Sequence, residues 1–154
     1  MTNRTWVYDQ MVNDATLLTY VGTSIVTDPM NTPGDPLDDV TTVTPRVHQS
    51  TSINVAPTLK PFIMYRQTSD VEFFRGDDGD TVRSCGFMIF CHDAPGDYMQ
   101  IDEMIDALQT LFKDTNDPTN GIVRSRWSNT SEDLRDDDMG TITRFASIQV
   151  LYRV

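Results

Sequence analysis

The chain has 154 residues, 38% of them hydrophobic, and a formal net charge of −11 from 23 acidic and 12 basic side chains. That length fits one domain, 1-154, with a real core. The charge argues against a protein that grips nucleic acid through its phosphates, because such binding needs clustered Lys and Arg.

Trp6 to Val21 reads as a first helix, with Val7, Met11, Leu18 and Val21 as its stripe. Asn3 or Thr5 is placed to cap it and Gly22 to stop it, while Asp14 interrupts the pattern only weakly. A short opening strand is expected at Ser24-Ile25-Val26. From residue 27 to 61 the composition turns to Pro, Thr and Asp, and neither helical nor strand period persists. Thr41 to Val47 and Thr51 to Val55 could form short extended pieces, but the stretch as a whole reads as a long loop or arm for contacting neighbours.

Strands are expected at Pro61 to Arg66, at Phe73-Phe74 and, most strongly, at Val82 to His92, after a turn at Arg75 to Asp80. A second turn, Asp93 to Gly96, leads into the best helix of the chain. Tyr98, Ile101, Met104, Ile105, Leu108, Leu111 and Phe112 share one face of it, and Asp102, Glu103, Asp106 and Gln109 the other. Asp97 is a good N-cap, Gln100 stands where a capping box wants it, and Lys113 suits the C-terminal end of the dipole. Each buried apolar side chain on this helix contributes about 1.5–3 kcal/mol gross. Chain entropy takes back most of that, so the helix needs a sheet beneath it, supplied by the strand before it and the strand that ends the chain.

After a turn at Asp117 to Gly121, Ile122 to Trp127 alternates like a half-buried strand, and Ser128 to Gly140 is polar. In Thr141 to Val154, Ile142, Ala146, Ile148, Val150 and Tyr152 take one parity, and Thr143, Ser147, Gln149 and Arg153 the other. Strand runs around one strong helix predict an α+β fold. The expected architecture is a mixed or largely antiparallel sheet, with two helices packed on one face and a long extended loop. Nothing in the chain is apolar for long enough to span a bilayer, and the N-terminus lacks a hydrophobic signal core. A chain made in the cytoplasm, with no membrane partner, is expected.

No constellation converges on catalysis. Cys85 and Cys91 on one strand stand about 20 Å apart, beyond the Cα separation of about 7 Å that a disulfide tolerates, so reduced, buried thiols are expected. His92 closes the central strand, but Cys91, His92 and Asp93 point to alternating faces. Asp77-Asp78-Gly79-Asp80 lacks the spacing and closing Glu of a calcium loop and reads as a turn. Asp136, Asp137 and Asp138 read as a solvated acidic loop; a small metal-dependent hydrolase using Asp136, Asp138, His92 or Asp93 is the enzymatic alternative. No metal, cofactor or catalytic residue is expected. Tyr65, Trp127 and Phe145 have no basic groove in which to stack bases and read as core or subunit contacts. Arg124 and Arg126 lie on one side of their strand. Together with Trp127 and the acidic loop Asp136, Asp137 and Asp138, they are candidates for a subunit interface in which a positive edge meets a negative loop.

The strand at 61–66, the run Phe87 to Asp93, and Gly96-Asp97-Tyr98 opening a helix resemble the tail terminator (tail completion) proteins of long-tailed bacteriophages. Trp127-Ser128-x-x-Ser131-x-Asp133-Leu134-x-Asp136, then Gly140-Thr141 and a terminal strand, are similar as well, as is the opening helix that ends Leu17-Leu18-Thr19-Tyr20-Val21-Gly22. The resemblance covers most of the chain in order and is least at 27–61. It implies a structural virion protein at the head-proximal end of the tail. Such a protein forms a homo-oligomeric ring, usually a hexamer, that caps the tail tube, ends polymerisation of the tube protein and offers a surface to the head–tail connector. DNA passes through the channel without specific binding. Asp102, Glu103 and Asp106 are then candidates for lining the channel or meeting a neighbour. Another head–tail joining (neck) ring protein is the nearest alternative.

Overall fold

The structure is a computed structural model, and it describes residues 2–28, 40–49, 59–77 and 79–154. The fold is α+β, with three helices and a mixed, mostly antiparallel sheet. The main sheet has the order β3(Val47–Gln49), β4(Phe62–Arg75), β5(Thr81–Asp93), β8(Thr141–Arg153), β6(Ile122–Thr130); β7(Leu134–Asp136) also pairs with β8. All of these pairings are antiparallel except β3 with β4. β1(Thr23–Asp28) and β2(Val40–Pro45) form a separate antiparallel ribbon.

The first helix is two helices. α1 spans Asn3–Asn13 and α2 spans Ala15–Val21. Asp14 breaks the run because it leaves the helical region (φ −84°, ψ 109°) and turns its carboxylate onto the Leu17 N–H at 2.6 Å. It thereby ends one helix and caps the next. Thr2, and neither Asn3 nor Thr5, caps α1. Gly22 ends α2 as expected, at φ 76°, donating its N–H to the Leu18 carbonyl.

The central strand and its helix α3 (Met99–Phe112) stand where the sequence puts them. Ile101, Met104, Leu108 and Phe112 are fully buried against Cys85, Phe87, Ile89 and Cys91 of β5 and Ala146, Ile148 and Val150 of β8. The capping box does not form. Tyr98 occupies the cap position, Asp97 accepts only from the Met99 N–H, and the Gln100 amide donates to the Tyr20 carbonyl, tying α3 to α2. Both thiols are free and buried on one face of β5. Burial raises both pKa values, that of Cys85 to about 11.

Three further expectations change. The piece at Phe73-Phe74 is not a second strand but the end of the 14-residue β4, whose parity slips at bulges between Gln67 and Ser69 and between Glu72 and Phe74. The polar run 128–140 supplies the end of β6 and all of β7. Of the long loop 27–61, residues 27–28 end the expected strand at 24–26, and 40–45 and 47–49 are strands where an extended piece at 41–47 was expected; the piece at 51–55 lies outside the described residues, as does Asp78 of the turn at 75–80. At the first bulge the Ser69 hydroxyl accepts from the Gly86 N–H, and a Cβ on Gly86 would meet the Ser69 and Thr68 oxygens at 2.6 and 2.7 Å, so this position takes glycine.

Candidate assembly surface

The helices cover one face of the sheet. The opposite face is only partly covered. At one end, β7 extends the sheet beside β8, and the turn after it, with Asp136 and Met139, borders a cleft on this face. Here Phe62 and His92 are buried and stacked with ring centroids 4.7 Å apart, and His92 Nδ1 bonds the Thr141 hydroxyl at 2.9 Å. Burial pushes the His92 pKa down to about 4, so the ring is neutral. Arg66 reaches over Phe90, with its guanidinium 5.4 Å from the ring centre.

Past this end nothing among the described residues covers the face. Among them β3 pairs with β4 only from Ile63 to Tyr65, and farther along β4 Val71, Phe73 and Phe74 are 56–60% exposed. Cross-strand register fixes the residues on this side. Arg66 lies opposite Met88, Val71 opposite Ser84, Phe74 opposite Val82, Val82 opposite Arg153, Leu151 opposite Arg124, and Gln149 opposite Arg126. The open face of β4, β5, β8 and β6 thus carries four exposed arginines, Arg66, Arg124, Arg126 and Arg153, and no carboxylate. Asp114 reaches Arg124 from the loop after α3, and Asp136, at the end of β7, borders the cleft that Arg66 and Phe90 line.

The helical side has the opposite charge. Asp102, Glu103 and Asp106 are exposed on α3. Between α2 and α3 runs an open groove of about 220 Å³ lined by Asp14, Thr16, Tyr20, Glu103, Asp106, Ala107 and Thr110, with no basic side chain in the lining. The Glu103 charge beside Tyr20 raises the phenol pKa.

The expected site residues fall as follows. Arg124 and Arg126 do share a face, but Arg124 is already paired within the chain: its Nε donates to Asp114 at 2.9 Å, and Asp114 holds a left-handed backbone (φ 58°) that aims it there. Arg126 makes no ion pair among the described residues. Trp127 lies opposite Ile148 on the helix-covered face, half-buried against the core, so it does not join the two arginines. Asp136 accepts from the Met139 N–H as a turn cap, Asp137 pairs with Arg135 at 3.0 Å, and Asp138 is exposed. Asp102 is not a free carboxylate, because Arg144 clamps it at 2.6 Å and also binds Asp133.

Asp136 and His92 line one small cleft with Met64, Arg66, Phe90 and Met139, while Asp93 turns away to hold the Ala94 N–H. Among the described residues no group of three or more His, Cys, Asp or Glu side chains is arranged to hold a metal ion. Nor is any described helix long and apolar enough to cross a membrane. Sequence reasoning missed Val71, Phe73, Phe74, Arg66 and Arg153 as surface residues. The available signal was the short alternation of Val71 and Phe73 with Asp70, Glu72 and Phe74, out of register with the strand before it because of the bulges. No protein-family model matches the chain, and no curated protein matches it in sequence.

Proposed function

We propose that this chain is a ring-forming structural component of a long-tailed bacteriophage. It caps the finished tail tube, stops further polymerisation and presents a surface to the head-side connector. The observation that carries this reading is the unfinished side of the sheet. A long outer strand holds Val71, Phe73 and Phe74 in solvent on a sheet whose open face also exposes Arg66, Arg126 and Arg153, without ion pairs among the described residues, while the helices bury Cys85, Phe87, Ile89 and Cys91 on the other side. A contiguous apolar and charged surface of this kind fits association with another protein. The order of elements is in keeping with the resemblance to tail terminators, and the net charge of −11 suits a channel that DNA must traverse without sticking.

Electron microscopy of infected-cell lysates lacking the protein tests the reading. Tails of uncontrolled length are expected. Normal tails that fail to join heads would move the chain to the neck, and normal virions would end both assignments.

A further inference from the structure

The two sides of the molecule carry opposite charge, and they cannot meet within one copy because the sheet lies between them. The open face holds Arg66, Arg126 and Arg153 without ion pairs among the described residues, set among Val71, Phe74 and Leu151. The helical side holds the groove between α2 and α3, whose lining carries Asp14, Glu103 and Asp106 and no cation. In a chain with 23 acidic and 12 basic side chains, a sheet face whose own strands carry arginines and no carboxylate is unusual. Asp136 borders it only at the Arg66 end, across a shared cleft. The acidic groove lies on the other side of the sheet, where it can reach the arginines of another copy.

We infer that copies of this chain associate head to tail, with the arginine-bearing open face of one copy packed on the α2–α3 groove of the next. The inference rests on the ring reading and names its interface. Two different patches on each subunit make a heterologous contact, which generates a ring where the rotation closes. Charge sets the register and the partner, while the apolar residues of β4 supply the buried area. Asp102 stays with Arg144, and Arg124 with Asp114. Glu103 and Asp106 therefore meet a neighbour and do not line the channel.

The test uses two charge-reversed variants of the full chain, R66E/R126E and E103K/D106K, examined by sedimentation velocity over a concentration series. All four side chains are exposed, so the melting temperatures should match wild type and confirm folding. Each variant alone should need about tenfold or more higher concentration to assemble, and wild-type assembly should weaken with added salt. The decisive sample is the equimolar mixture. An acidic open face then meets a lysine-bearing groove, the wild-type faces meet each other, and assembly should return. Variants that assemble like wild type, or a mixture that stays dissociated, would overturn this interface and leave the ring reading standing. A wild-type chain that stays monomeric at millimolar concentration would overturn both. Duplex DNA binding by wild type that R66E/R126E abolishes would give the arginines to phosphate and overturn the interface.

Discussion

The two faces of β5 are built from alternate residues of one strand, yet they do different things. Cys85, Phe87, Ile89 and Cys91 point at the helices and are at most 1% exposed. Val82, Gly86, Met88 and Phe90 point the other way and are only half-buried. From Cys85 to Cys91 the first face is sealed by the helices, and Arg83, farther along on the same parity, pairs with Asp70. On the second face Ser84 and Leu151 are buried, while Arg66, Arg126 and Arg153 and the β4 side chains Val71 and Phe74 are exposed. Within one strand, then, side-chain parity divides a sealed face from a partly exposed one.

The largest effect that can break this contrast comes from truncating one aromatic on each face. Phe87→Ala should cost about 3–5 kcal/mol in urea unfolding, as a cavity in a packed core does. Phe74→Ala, on the open face, should fall within about 0.5 kcal/mol and should instead weaken self-association. Equal losses would show that the open face is part of the core.

The next effect tests the burial of His92 at the other end of this face. His92 is neutral in the fold, its pKa pushed down from 6.5 to about 4 by burial. Between those values the unfolded chain binds a proton that the folded chain refuses. The stabilisation is therefore fully present above pH 6.5 and is lost as the pH falls towards 4. The loss attributable to this group should reach about 3 kcal/mol. His92→Gln should remove that part of the pH dependence, read as the difference in melting temperature between the two proteins across the interval. An unchanged slope would mean that the ring is hydrated and that this end is not sealed.

Two smaller effects concern the margins. Asp14→Ala should cost about 1 kcal/mol, because it removes the cap of α2, and should loosen the groove that this helix borders. Arg124→Ala should change stability by less than about 1 kcal/mol, because its pair with Asp114 is solvent-exposed. It should leave self-association at wild-type strength if Asp114 already satisfies the charge.

The parts legible in the sequence were those with one wet and one dry side. β8, β5 and α3 announce themselves because burial on a single face imposes a period of two or of 3.6. The outer part of β4 was hidden for the opposite reason. With both sides wet, Ser69, Asp70 and Glu72 look like loop residues, and two bulges shift the parity that would have betrayed the strand. The ribbon of β1 and β2 was legible as a short strand at 24–26 and an extended piece at 41–47, though not as a pair. The break at Asp14 was invisible to periodicity because the apolar stripe runs through it; only the carboxylate's choice of the Leu17 N–H decides it. In the candidate surface, the charge of Arg126 was legible. The capture of Arg124 by Asp114 was not, since it depends on a left-handed residue just past α3.

The most direct measurement of the central claim is electron microscopy of the purified chain at high concentration, with the mass of the particles measured in the same sample. The account predicts closed rings of identical copies around an open channel, six to a ring if the tail-terminator reading is right. Uniform monomers under those conditions, or open-ended fibres that never close, would contradict it.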